Sequence, residues 1–184
     1  MIALFTDRLL LRDHVETDIG THHELLSDPM VMRYLPDIMT RGMAESMENL
    51  RQAMEGIGDP ARTRCFLRIE DRATRGHIGE IGYTVTGSTP QGKLAGIGYF
   101  LRAAHWGREY TKEAMRSLIR YAFEEGGVYR VSCGCLKENV ASERVMRGVG
   151  MIKEAEFLEY QWHEDRLKDR VEYRLLRHEW ERAR

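Results

Sequence analysis

Apolar positions along this chain change period several times, and each change marks an element. Residues 8–12 (RLLLR) form a short apolar run suited to a first strand. The spacing becomes helical over residues 15–26 and stops at Ser27-Asp28-Pro29, since the residue before a proline is pushed out of the helical region. A second helical stretch, residues 41–55, carries Met43, Met47, Leu50 and Met54 three and four apart, which predicts a core-facing stripe. Three strand patterns follow at 64–70, 77–86 and 94–102, the last two separated by the turn-rich Gly87-Ser88-Thr89-Pro90-Gln91-Gly92. From 108 to 125 the period is helical again, with Tyr110, Ala114, Leu118, Tyr121 and Ala122 on one stripe and Gly126-Gly127 as the stop. A strand at 129–136, a helix at 140–148 and two strands at 154–162 and 167–176 complete the order β-α-α-β-β-β-α-β-α-β-β. That order predicts a mixed α/β fold, with helices packed on both faces of a largely antiparallel sheet.

Composition narrows the class. No repeat, low-complexity tract or linker divides the 184 residues, so residues 1–184 are expected to form a single domain long enough to bury its own core. With 28 Lys plus Arg against 29 Asp plus Glu, the chain lacks the basic excess of a nucleic-acid binder. Cys65, Cys133 and Cys135 supply neither a disulfide framework nor a four-ligand zinc spacing, so no metal is expected. The amino terminus has no leader pattern and no segment approaches a membrane span, which points to a cytoplasmic protein with no membrane partner.

Two segments carry candidate chemistry. In Gly98 to Ala114 (GYFLRAAHWGREYTKEA), a strand runs through a short loop into a long helix. The first amides of a helix have no internal partner and sit at the positive end of its dipole, so the junction is a natural phosphate cradle. Gly107 would let a phosphate approach the backbone, and Arg102 and Arg108 would bracket the loop with positive charge; a simple turn holding a buried Trp106 explains the spacing equally well. The second segment is Glu138-Asn139-Val140-Ala141-Ser142-Glu143. Asn139 suits an N-cap, and Ser142 falls on the stripe of Val145, Met146 and Val149, where a local backbone bond is the ordinary use of a serine. The run from Gly76 to Gly82 has the wrong spacing for a dinucleotide loop, and no Gly-Lys-Ser or Gly-Lys-Thr is present for a nucleotide P-loop.

Together these residues resemble the GNAT superfamily of acetyl-CoA-dependent N-acetyltransferases, in the RimJ/RimL branch that contains the ribosomal-protein alanine acetyltransferases. The likeness rests on Thr6 to Arg12, on Ile97-Gly98-Tyr99 with Trp106-Gly107-Arg108 and Glu113-Ala114, on Glu138 to Ser142 with Gly150, and on Asp169 to Tyr173 with Glu179-Trp180. It implies an enzyme that moves an acetyl group directly to a primary amine, either a protein amino terminus or a small molecule. A noncatalytic acyl-CoA-binding module is the alternative, and a homodimer is compatible with this branch.

The resemblance implies a cleft for acetyl-CoA between adjacent parallel strands that splay apart, here 94–102 and 129–136. Backbone groups of Phe100, Leu101 and Arg102 would hold the pantetheine arm, with a Leu101 N–H serving the acetyl oxygen. Amides of Trp106, Gly107, Arg108, Glu109, Tyr110 and Thr111 would hold the pyrophosphate, Asn139 would touch the pantetheine or cap its helix, and Ser142 would serve the leaving sulfur. Two positions depart from the family pattern. Ala104 and Glu109 stand in its phosphate loop, and a carboxylate there must point outward to avoid repelling phosphate. Gln161 occupies the position of the general base, so that role would move to Glu159 or His163 on the same strand face, to Glu80 in its apolar strand, or to water. Cys133, Cys135, Trp162, Trp180 and the methionines at 30, 32, 39, 43 and 47 read as packing.

The near-neutral total hides an internal polarity. Residues 1–63 hold 6 basic and 11 acidic side chains, whereas residues 102–152 hold 9 and 6. The positive share coincides with the segment implied for anionic CoA and the acidic share with helices expected near a cationic acceptor, although solvated helix faces produce the same pattern.

Overall fold

In the computed structural model, which describes residues 1–184, the chain starts one strand earlier than the periodicity predicts. Strand β1 (Ala3–Phe5) pairs antiparallel with β2 (Leu9–Asp13), and three residues are too few to reveal a period. A 3-10 turn at Glu16–Asp18 leads into α1 (Ile19–Leu26), which ends at Ser27 ahead of Pro29. Helix α2 (Met43–Met54), strands β3 (Arg64–Asp71), β4 (His77–Thr89) and β5 (Gly92–Leu101), and helix α3 (Tyr110–Glu124) follow. Then come β6 (Val128–Leu136), α4 (Val140–Gly148), β7 (Ile152–His163), β8 (Arg166–Leu176) and a short α5 (Arg177–Arg182) that the sequence pattern missed. The strands form an eight-stranded sheet in the order β1-β2-β3-β4-β5-β6-β8-β7, antiparallel in every registered pair except β5 with β6.

The chain divides into two compact units, Met1–Thr84 with Gly98–Leu118, and Val85–Ile97 with Ile119–Arg184. In the first, β2, β3 and β4 pair from Leu9↔Asp71 to Asp13↔Leu67 and from Arg64↔Thr84 to Glu70↔His77. Leu9, Leu11, Leu67, Ile69, Ile78 and Ile81 are fully buried on these strands. Each such side chain contributes roughly 1.5–3 kcal/mol of hydrophobic stabilisation. A second cluster of Leu25, Leu26, Val31, Met32 and Phe100 joins the end of α1 to the end of β5. A Cβ on Gly79 would run into Phe100 O and lie 2.7 Å from Leu101 Cα, so only glycine lets β4 pass the end of β5 this closely.

Helix α2 corrects the predicted stripe. Met43 and Met47 are exposed, and the buried face is Ser46, Leu50 and Ala53. The period fits both stripes because they share Leu50. A serine is tolerated inside because its hydroxyl is hydrogen-bonded to Thr40 Oγ1 at 2.7 Å and His23 Nδ1 at 2.8 Å. Met30 and Trp162 are exposed rather than core, while Met32 is buried as expected.

In the second unit, β5 and β6 run parallel from Lys93↔Val128 to Gly96↔Ser132. Registered pairs stop there, although β5 continues to Leu101 and β6 to Leu136. On its other edge β6 pairs with β8 from Arg130↔Leu176 to Leu136↔Arg170. Strand β7 closes the order against β8, with the register breaking between Phe157 and Gln161. Trp180 of α5 packs against Phe123 of α3, with ring centroids 5.4 Å apart.

Candidate active site

At the end of β5, Arg102 N–H donates to Ile78 O on β4 (2.9 Å). Successive strand amides point to opposite edges, so the preceding Leu101 N–H points away from β4. The Leu101 carbonyl, on that same side, accepts the Trp106 indole N–H at 2.7 Å and so anchors the loop that follows. Trp106 is not the buried aromatic of the simple turn reading; its side chain is 50 % exposed. Gly107 has φ +72° with open space where a Cβ would stand, a geometry that glycine adopts without strain. The Glu109 carbonyl accepts the first helical bond, from Glu113 N–H, so the amides of Tyr110, Thr111 and Lys112 have no partner within α3. The expected bracket of positive charge is only half present. The Arg102 guanidinium is committed to α1, donating to Thr21 O and Glu24 Oε2, both at 2.9 Å.

Glu109 itself has φ +64°, and its carboxylate pairs with Lys112 Nζ at 2.7 Å while remaining 64 % exposed. The carboxylate therefore lies in solvent, paired with a cation. Behind the loop stands a brace that sequence reasoning did not assign. Glu113 accepts from Thr6 Oγ1 (2.6 Å), the Arg8 amide (2.9 Å) and Arg8 Nε (2.7 Å), while Arg8 Nη1 donates to Arg108 O (3.0 Å). Burial alone would raise the Glu113 pKa, but the bonds from Thr6 and Arg8 outweigh it and hold the carboxyl below its ordinary range. The guanidinium of Arg8 also lies over the Tyr110 ring, 4.5 Å from its centroid.

In the second unit, Asn139 caps α4 as expected, its side chain accepting from Ser142 N–H at 3.2 Å. The Cys135 thiol donates to Asn139 O at 3.7 Å beside the Ser142 hydroxyl, and burial raises its pKa, so Cys135 rests as a thiol. Cys133 and Cys135 are buried and neither forms a disulfide. Nearby, Tyr173 O–H donates to Glu143 Oε1 at 2.6 Å; burial first and this bond second push the phenol up to about 12. Gln161 accepts from Arg170 Nη1 (2.7 Å), and Arg170 Nε binds Glu172 (2.6 Å), whose carboxylate lies over Gly134 of β6. Glu159 lies within the register break of β7, exposed, with φ +48° and its N–H donating to Asp169 Oδ1 at 3.0 Å. The break interrupts the alternation that placed Glu159 on one face with Gln161 and His163.

Glu80 does not stand in an apolar setting as the pattern implies. It is buried against His22 Nδ1 (2.6 Å), with His14 and His77 close by. Burial opposes its charge, but the surrounding imidazoles outweigh this and keep its pKa low. His22, which burial would depress, is held above its ordinary value by Glu80, whereas burial lowers His14.

A family profile described as an acetyltransferase (GNAT) domain matches residues 8–152. The chain belongs to the GNAT acetyltransferase family. This GNAT enzyme is 28% identical over 176 residues, 95% of the chain and 97% of the relative, to the N-acetyltransferase YnaD of Bacillus subtilis. Its fold is similar to that of the ribosomal-protein-S5-alanine acetyltransferase of Vibrio fischeri, with a TM-score of 0.83, 16% identity and coverage of 98% and 99% of the two chains. It is likewise similar to the spermidine N-acetyltransferase of Vibrio cholerae, solved with CoA and spermine, with a TM-score of 0.82, 17% identity and coverage of 95% and 99%.

For a GNAT enzyme the loop has features that suit a CoA pyrophosphate. Gly107 is open, the first α3 amides lack helical partners, and the carboxylates of Glu109 and Glu113 are engaged by Lys112 and Arg8. The signal for the brace was present in the sequence, since Thr6 to Arg12 and Glu113-Ala114 both belong to the segments that resemble the family. Their contact joins residues more than a hundred positions apart and cannot be read from either segment alone.

Proposed function

We propose that this GNAT enzyme uses acetyl-CoA to acetylate a primary amine by direct transfer, on a protein amino terminus or a small molecule, in the cytoplasm. One observation carries the reading: registered β5–β6 pairs end at Gly96↔Ser132 while β5 continues to Leu101, so the Leu101 N–H, which points away from β4, is left to serve an acyl thioester. No helix is long and apolar enough to cross a membrane.

Acetyl-CoA supplies the activated acyl thioester. Gly107, Arg108, Glu109, Tyr110 and Thr111 bind its pyrophosphate through their backbone, whereas the Trp106 N–H, expected to join them, is taken by Ala103 O at 3.1 Å; Asn139 keeps the start of α4 in place through its bond to Ser142 N–H. The Leu101 N–H, which points away from β4, donates to the acetyl oxygen as negative charge grows there. The Ser142 hydroxyl donates to the departing sulfur in place of its resting partner, Cys135 Sγ, whose own S–H is given to Asn139 O. Glu159 takes the proton released by the amine, directly or through water, since Gln161 has no basic group and is held by Arg170.

The test is thiol release from acetyl-CoA with a panel of amines and amino-terminal peptides, beside a direct binding measurement. Transfer to at least one acceptor is expected, with Ser142→Ala lowering turnover at least about tenfold and leaving acetyl-CoA affinity within about twofold. Binding without transfer to any acceptor would identify a noncatalytic acyl-CoA module instead, and unchanged turnover in Ser142→Ala would remove that hydroxyl from the mechanism.

A further inference from the structure

The first unit contains a buried polar cluster that acetyl transfer does not use. His14 follows β2, His22 lies on α1 and Glu80 on β4, and all three are almost wholly removed from solvent. His14 is 0 % exposed and neither ring nitrogen has a hydrogen-bond partner. A buried group left in this way costs about 1–3 kcal/mol and calls for an explanation, such as a water or an ion. Its Nε2 stands 3.6 Å from Glu80 Oε2, too far for a hydrogen bond, and the candidate ligand atoms of His14, His22 and Glu80 all lie within 4.8 Å of one another. Around a tetrahedral zinc ion, with metal–ligand bonds near 2.0–2.2 Å, neighbouring ligand atoms stand about 3.3 Å apart. The His14–Glu80 spacing is close to that edge.

The outward sides of the two imidazoles strengthen the case. A histidine that ligates a metal through one nitrogen normally presents the other to a carboxylate, amide or carbonyl oxygen that fixes its tautomer. His22 Nε2 meets Asn49 Oδ1 at 3.1 Å. His14 Nδ1 faces Asp18 Oδ2 at 3.7 Å, and Asp18 is itself held by Arg12 at 2.7 Å. Both rings thus turn one nitrogen toward Glu80 and the other toward an oxygen of the surrounding shell.

We propose that His14 Nε2, His22 Nδ1 and Glu80 form a structural binding site for a divalent transition metal, with zinc as the best match, tying the end of β2, α1 and β4 together. Two imidazoles and one carboxylate suit zinc, whereas calcium and magnesium take oxygen ligands. His77 Nε2, 3.7 Å from Glu80 Oε1, donates to Gly79 O at 3.1 Å and stays outside the set, so a water fills the fourth position. Binding displaces the proton shared by His22 and Glu80, whose 2.6 Å contact must open to admit the ion. A bridging water is the competing occupant.

The experiment uses the full chain, stripped with chelator, loaded with zinc or cobalt(II) and desalted. The expected result is one metal ion retained per chain, a higher Tm with zinc than with chelator, and the visible bands of tetrahedral cobalt. His14→Phe should weaken retention at least about tenfold and abolish the zinc-dependent Tm shift. His163→Ala, which disrupts the more exposed Glu138, His163 and Glu164 cluster, should retain the metal. Should His14→Phe fail to fold, the cobalt spectrum of the wild type and of His163→Ala decides the question. No retained metal in the wild type, retention unchanged in a folded His14→Phe protein, or loss in His163→Ala would each overturn the proposal. None of these readouts depends on acetyl transfer.

Discussion

Replacing Glu113 by Gln tests whether the brace behind the loop before α3 holds the first unit together. The substitution keeps the size of the side chain but removes its charge and turns an amide donor toward the Arg8 guanidinium. In the native protein the carboxylate accepts from Thr6 Oγ1, the Arg8 amide and Arg8 Nε, with Arg8 Nη2 also 2.6 Å away, and it is only 18% exposed. Hydrogen bonds to a charged group contribute about 1.5–3 kcal/mol each, and one acceptor oxygen survives in Gln, so a net loss of about 2–3 kcal/mol is expected. For a chain of this length that lowers Tm by roughly 4–12 °C. Charge at a helix N-terminus accounts for only about 0.3–1 kcal/mol, and Glu109→Gln, in the same turn but exposed, measures that smaller effect.

The pH dependence of the difference gives an independent check. Because the folded Glu113 carboxyl lies below its ordinary value, its stabilisation is complete above the unfolded pKa and is lost as pH falls through the folded one. The stability gap between wild type and Glu113→Gln should therefore be full at neutral pH and close in acid. Thermal unfolding followed by circular dichroism at several pH values measures both quantities. In acetyl-transfer assays the KM for acetyl-CoA should rise more than kcat falls, because the brace shapes the loop and does not touch the reacting atoms. A Tm loss no larger than that of Glu109→Gln, or one that persists unchanged in acid, would refute the brace.

Glu109→Gly should leave acetyl-CoA affinity equal or tighter, since it removes a carboxylate from the loop proposed to bind pyrophosphate; a clear loss measured by calorimetry would show that the side chain contributes to binding. Its stability should change by no more than about 0.5 kcal/mol, because relief of the φ +64° strain offsets the entropy of glycine and the loss of an exposed Lys112 pair. Gly79→Ala should lower stability by about 1–3 kcal/mol, because the new methyl meets backbone at Phe100 and Leu101, and it should lower kcat by displacing the Leu101 amide. Normal denaturant midpoint and kcat in that variant would mean that β4 yields without disturbing β5.

How much of the fold could be read in advance depended on whether the deciding interaction was local. The stop of α1 before Pro29 and the Asn139 cap were legible because each is settled within a turn or two of chain. The loop before α3 was legible for the same reason, as a strand running into a helix through a glycine. Where a local rule had two solutions, packing chose between them: α2 buried Ser46 rather than Met43 and Met47 because Thr40 and His23 satisfy its hydroxyl. The face shared by Glu159, Gln161 and His163 followed from strict alternation, which the register break in β7 interrupts.

The sequence by itself determined the types and order of the elements between β1 and α5, the likeness to acetyltransferases and the segments that could bind CoA, because periodicity, capping and turn chemistry act over a few residues. Only the tertiary structure decided the end of β5–β6 pairing at Gly96↔Ser132, the reach of Arg8 to Glu113, and the meeting of His14 and His22 with Glu80. These depend on strand register and on contacts across 58 to 105 residues, where side chains with no local preference for one another are brought together by the burial of the apolar strands around them.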